Sequence, residues 1–211
     1  MKLTPGTLTL ETLQAIHAGG RALEIDAAAS ANIRASAAVV QRAARSRAPT
    51  YGVNTGFGKL AKTRIAAQDL DKLQINIVRS HAAGVGAPLS AGVTRLILLM
   101  KLNALSQGAS GISLAAMEAL AALINKDVLP IIPGQGSVGA SGDLAPLAHM
   151  SLVLIGEGEA MVRGVRLSGA LALQTAGVKP VALGPKEGLA LLNGTQVSTA
   201  LALSGLVAAE R

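Results

Sequence analysis

The run Gly134-Gln135-Gly136-Ser137-Val138-Gly139-Ala140-Ser141-Gly142-Asp143-Leu144-Ala145-Pro146-Leu147 constrains this chain more than any other stretch. Four glycines fall within its first nine residues. Glycine loses more conformational freedom on folding than any other residue, so a packed regular element would not carry so many. The run suits backbone that turns tightly or is approached closely. Ala140-Ser141-Gly142 can also react with itself. The Gly142 amide nitrogen can attack the Ala140 carbonyl carbon, because neither residue carries more than a methyl group. The Ser141 β-hydroxyl can leave as water. Loss of two waters gives a 4-methylidene-imidazol-5-one, whose exocyclic methylene is an electrophile that no ordinary side chain supplies. A rigid bend would hold the triplet near attack geometry.

The same run fits G-x-G-x-x-G, the dinucleotide fingerprint, at Gly134, Gly136 and Gly139. Val128–Ile132 would then be the preceding strand, and Glu157 or Glu159 the ribose acid. Pro130 argues against it, since proline removes a donor from a central strand. Pro133 stands where strand should meet turn. The rest of the chain gives helix after helix rather than alternating strands and helices. Dinucleotide binding is the weaker reading.

Helical signals dominate. Thr9 caps a short helix to about His17, ended by Gly19-Gly20. An alanine-rich helix runs from Asp26 to Arg45, before Pro49. Residues 50–61 break every period and read as a glycine-rich loop. Three helices follow over 66–83, 90–107 and 113–126, and another over Leu144–Ile155, where Pro146 suits a first turn. Ala160-Met161-Val162 and Val165-Arg166-Leu167 flank Arg163-Gly164 as a small hairpin. Short helices over about 168–176 and 185–192 precede a last one from about 195. That helix is apolar around most of its circumference, which demands neighbours. Arg211 therefore reads as a break inside a longer protein.

Half the residues are apolar, 15% are charged, and mean hydropathy is +0.47. No apolar run is expected to reach membrane-spanning length, and Met1–Gly6 lacks a signal-peptide core. Without cysteine there is no disulfide or thiolate metal site, which points to the cytoplasm. The net charge is +7. The basic residues are scattered and aromatics make up 1%, so nucleic acid is not the expected partner. Arg42, Arg45 and Arg47 read as a solvated helix face. No histidine pair has metal-ligand spacing, so no metal is expected.

Several residues have both an ordinary and a functional reading. Tyr51, the only tyrosine, is equally a loop anchor and a base on a mobile lid. His17 and His81 close helices and suit dipole partners, while His149 suits a packed core position. Asn193 is an asparagine cap or an amide aimed at a developing oxyanion. Asp143 is an ordinary N-cap for the helix that follows, or a helper in ring formation.

Gly136 to Ser151 matches the signature of the aromatic amino-acid lyase family without a gap, and nearly all 211 residues are similar to that family's N-terminal part. Tyr51-Gly52-Val53-Asn54-Thr55-Gly56-Phe57-Gly58 resembles its catalytic-tyrosine loop. Leu192-Asn193-Gly194-Thr195-Gln196 resembles the segment whose asparagine lies beside the prosthetic group. Ser80-His81 resembles the pair found in histidine-specific members, where phenylalanine- and tyrosine-specific relatives tend to carry Phe-Leu or His-Leu. The resemblance implies a mainly α fold: the N-terminal part of the ammonia-lyase fold, with glycine-rich active-site loops and a small β-hairpin. It implies residues 1–211 as a prosthetic-group-bearing domain whose C-terminal helical bundle is absent. The implied reaction is L-histidine to trans-urocanate and ammonia, in a cytoplasmic homotetramer with no external cofactor, nucleic acid or membrane. Ala140, Ser141 and Gly142 would form the methylidene-imidazolone, supported by Asp143 and Asn193. Tyr51 would take the β-proton, and His81, Ser80 and Asn193 would hold substrate. The alternatives are a phenylalanine- or tyrosine-specific lyase, or a catalytically incompetent fragment with an assembly role.

Overall fold

The computed structural model describes residues 1–19, 22–138 and 141–209. β1 (Lys2–Leu3) pairs in parallel with β2 (Glu24–Ile25), and α1 (Leu10–His17) connects them. Thr9 caps α1 as expected, accepting from the Thr12 amide. Asp26 does the same for α2 (Ala27–Arg45) through the Ala28 amide. Turns follow, with 3-10 turns at Gly58–Leu60 and Ala67–Asp69, before α3 (Leu70–His81). The helix expected over 66–83 is therefore shorter. Past His81 the chain becomes β3 (Val85–Pro88), with Gly86 at φ +88°. Ser90 and Ser113 cap α4 (Ala91–Leu105) and α5 (Leu114–Asn125) through their hydroxyls. Beyond these lie β4 (Val128–Pro130), β5 (Pro133–Gln135), α6 (Leu144–Leu154), β6 (Glu159–Val162), β7 (Val165–Ser168), α7 (Gly169–Ala176), α8 (Glu187–Leu192) and α9 (Gln196–Ala209).

The β6–β7 hairpin forms as read, but it gains a third strand. β4 pairs antiparallel with β6, giving the order β4-β6-β7. Pro130 sits at the end of this edge strand, where its missing donor is tolerated. The dinucleotide reading fails on this topology, because its strand would have to be central and parallel. Its two acids are also occupied, Glu157 by Arg79 and Glu159 by Arg166. The antiparallel β3–β5 pair was not legible, since Val-Gly-Ala-Pro and Pro-Gly-Gln carry no alternation.

The core lies around α4, which packs against α1, α5 and α9. Leu96 to Leu99 and Leu102 of α4, Met117 and Leu120 of α5, and Leu147 and Met150 of α6 are at most 1% exposed. This burial uses much of the apolar excess. Glu187 is buried too, and its carboxylate accepts from the amides of Ser113 and Gly184, both at 2.7 Å. One expectation needs correction. By length and composition alone, the 23 residues Glu187–Ala209 are apolar enough to cross a membrane. They are divided into α8 and α9 by a non-helical turn at 193–195. On α9 the outward residues Leu201 and Leu206 remain exposed.

Truncating a side chain at the α4–α5 seam should leave a cavity. Leu120→Ala is expected to lower unfolding free energy by about 2–5 kcal/mol, measured by chemical denaturation.

Candidate functional site

The tyrosine loop is fastened from below by a residue with no assigned role in the sequence reading. Asn54 is 1% exposed. Its Nδ2 donates to Ala43 O at 3.0 Å and Ala48 O at 2.9 Å, while its Oδ1 accepts from Thr50 N at 2.7 Å. These bonds tie the loop to the end of α2. Gly52, at φ +69°, brings the loop against α8, where a Cβ would lie 2.6 Å from Leu189 Cδ2. So held, Tyr51 projects with 55% exposure, and its ring meets Phe57 edge-on at 5.9 Å and 87°.

Tyr51, His81, Ser141 and Asn193 all line one cavity of about 410 Å³, with Phe57, Ile77 and Leu189 among its apolar walls. His81 closes α3, and its Nδ1 lies 2.9 Å from Ile77 O. A carbonyl can only accept, so this bond puts the hydrogen on Nδ1 and leaves Nε2 with the lone pair in the neutral ring. Ser80 is not among the lining residues. Its hydroxyl donates to Ile77 O at 3.1 Å and lies 3.1 Å from His81 Nδ1, behind the histidine. Ala140 lies outside the described residues, so two of the three triplet positions are located.

The triplet is held from its C-terminal side. Gly142 has φ +129°, and a Cβ there would lie 2.7 Å from Gly194 O. The Asp143 amide donates to that same oxygen at 2.7 Å. The Asp143 carboxylate does not cap α6, contrary to its ordinary reading. It reaches instead to the first turn of α9, accepting from the Ser198 amide at 2.8 Å and the Ser198 hydroxyl at 2.7 Å. Ser137 Oγ donates to it at 2.6 Å. Burial alone would raise this carboxyl. The bonds from Ser137 and Ser198 outweigh that and hold it below the ordinary carboxylate range. The result is a fixed negative charge beside the triplet, facing the positive end of a helix.

Two further polar residues support the site from behind. His149 Nε2 accepts from the Gly84 amide at 3.0 Å, pinning the turn after His81 to α6, and burial pushes its pKa down. It is half-buried and hydrogen-bonded rather than a plain core histidine. Lys101 is 1% exposed, and its Nζ donates to Asn193 O at 2.8 Å. Desolvation pulls its pKa from 10.5 to about 7. A lysine inside the apolar run of α4 was the signal available in the sequence. His17, by contrast, packs against α4 and α9 at Gly92 and Ser204, outside the cavity lining.

A family model described as aromatic amino acid lyase matches residues 8–211. A histidine ammonia-lyase of Paracidovorax citrulli is 58% identical over 99% of this chain. The chain spans 41% of that relative's length. The crystal structure of histidine ammonia-lyase from Trypanosoma cruzi matches at 37% identity and TM-score 0.87, over 98% of this chain and 40% of that one. An ergothionase from Treponema denticola matches at 28% identity and TM-score 0.93, over 97% of this chain and 41% of that one.

The buried lysine should make stability depend on pH. Its folded pKa lies below its unfolded one, so the unfolded chain binds more protons between them. Stability should therefore rise from about pH 7 toward 10.5, by up to about 1.4 kcal/mol per pH unit. Denaturant midpoints at pH 7 and 9.5 should show that rise, and Lys101→Met should remove it.

Proposed function

Since the chain belongs to the aromatic amino acid lyase family, we propose that it carries the electrophile-forming part of an enzyme that deaminates L-histidine to trans-urocanate and ammonia. The observation that carries this reading is the convergence of Tyr51, His81, Ser141 and Asn193 on one cavity. The high identity to a relative named for histidine directs the choice of substrate.

The residues present fit the group this chemistry needs. Gly142 combines a positive φ with an approach to Gly194 that leaves no room for a side chain, and Asp143 sets a buried carboxylate beside the triplet. Once formed by loss of two waters from Ala140-Ser141-Gly142, a 4-methylidene-imidazol-5-one supplies an electrophilic carbon that withdraws electrons from the bound amino acid.

The chain's own residues supply the rest. His81, with its Nδ1 hydrogen committed to Ile77 O, accepts the N–H of the substrate imidazole at Nε2. Ser80 stands behind His81 with its hydroxyl donating to the same Ile77 O, and the apolar walls of the cavity exclude water. Tyr51, at the exposed rim, takes the β-proton, which requires its oxygen as the phenolate. Asn193 donates its amide to an oxygen on which negative charge develops. Asp143 holds the triplet against α9 and keeps the Ser137 hydroxyl turned toward itself.

The chain spans about two-fifths of the relative's length, and residues clamping the substrate carboxylate would come from beyond the matched region. The complete enzyme would be a cytoplasmic homotetramer needing no external cofactor. The exposed Leu201 and Leu206 of α9 are apolar surface that such an assembly would cover.

In the full-length protein, Ser141→Ala should abolish urocanate formation while leaving the thermal unfolding midpoint within a few degrees. The wild-type peptide containing Ser141 should weigh two waters less than its sequence; full activity without that deficit would refute the scheme. Tyr51→Phe should lower kcat by about 10²-fold or more with little change in KM. Steady-state kinetics on L-histidine would show equal losses in both if the tyrosine were only positional.

A further inference from the structure

Lys101 is the feature this scheme leaves unused. It is 1% exposed in the middle of α4, whose buried neighbours include Ile97, Leu98 and Leu102. Among the described residues no carboxylate lies within ion-pair distance of it. α9 carries no ionisable side chain among those residues, and α1 and α5 offer Glu11, His17 and Glu118, none of which pairs with it. A lone amine in apolar surroundings is costly and is usually kept for what it bonds. Here it bonds Asn193 O at 2.8 Å.

That carbonyl stands at the C-terminal end of α8, where the last C=O groups lack partners within the helix. The next carbonyl, Gly194 O, accepts from the Asp143 amide at 2.7 Å. Two consecutive carbonyls of the 193–194 turn are thus fixed from two sides, one by α4 and one by the segment that follows the reactive triplet. Asn193 meanwhile lines the cavity with Ser141. The turn cannot shift without breaking one of these bonds.

We propose that Lys101 is a positioning residue that holds the Asn193–Gly194 turn against Gly142–Asp143, so that the Asn193 amide and the cyclising triplet stay in register. The inference rests on the deamination reading above. Lys101 touches neither substrate nor the reacting atoms; it acts through Asn193 and Gly194. A misplacement of about 1 Å far from the chemistry can cost about 10²-fold, and a contact acting through one residue shows non-additive losses with it.

The test is a double-mutant cycle in the full-length protein with Lys101→Met, Asn193→Ala and the pair, read by three measurements. The mass of the peptide containing Ser141 gives the fraction that has lost two waters as a function of time after synthesis. Kinetics on L-histidine, normalised to that fraction, give kcat and KM. Thermal unfolding gives stability. Lys101→Met should slow the loss of water about threefold or more and lower kcat per cyclised site about tenfold or more, with KM within about threefold. Added to Asn193→Ala, it should lower kcat by less than about threefold further. If Lys101→Met does not fold, Lys101→Gln, whose donor falls one bond short of the ammonium, takes its place with the same expected outcomes. Cyclisation at the wild-type pace, an unchanged kcat, or losses that multiply independently would overturn the positioning role. Wild-type protein that forms no urocanate would instead overturn the functional reading beneath it.

Discussion

The site depends on how closely two backbones approach. Gly142 and Gly194 lie against each other with no space for a Cβ on Gly142, and the hydrogen bond from Asp143 N to Gly194 O closes that contact. From it the remaining arrangement follows. The turn between α8 and α9 must lie against Gly142, which brings Asn193 to the cavity lining. The Asp143 carboxylate must then meet the first turn of α9, where backbone N–H groups lack partners within the helix. The buried charge is kept ionised by the same bonds that fix the geometry, so position and protonation state are set together.

Around this contact the scaffold divides its labour by rigidity. α4, buried on nearly every side, is the fixed reference to which Lys101 ties the 193–194 turn. The tyrosine loop has a different attachment. Asn54 satisfies four backbone groups of the chain leading into and through the loop, at positions 43, 46, 48 and 50, and so holds its base. Its rim, with Tyr51, stays open to solvent. The role of base proposed for Tyr51 would use this combination of fixed root and accessible tip to reach a bound substrate and then release product.

Most helices were legible in the sequence because their signals are local. Thr9, Asp26, Ser90, Ser113 and Ser168 each cap the helix that their position announces. The triplet, Tyr51, His81 and Asn193 were legible as residues because each interrupts its surroundings or matches a family segment. The meeting of Tyr51, His81, Ser141 and Asn193 in one cavity was not readable from spacing. Partners distant in sequence were the main omissions. β3 and β5 pair through glycine- and proline-rich segments with no alternation. Asp143 looked like a cap for its own helix and proved to serve α9, because the choice between two helix ends is made by tertiary contact. Lys101 was hidden in an apolar run, and its role depends on a carbonyl 92 positions away.

The edge-on pair of Tyr51 and Phe57 has a spectroscopic corollary. The chain contains one tyrosine, one phenylalanine and no tryptophan. Its near-ultraviolet absorption and circular dichroism therefore originate almost wholly at the mouth of the cavity. Protein concentration read at 280 nm would be unreliable for such a chain. Conversely, any band at longer wavelength would stand on a nearly empty background, and a chromophore built at Ser141 would be visible without a label.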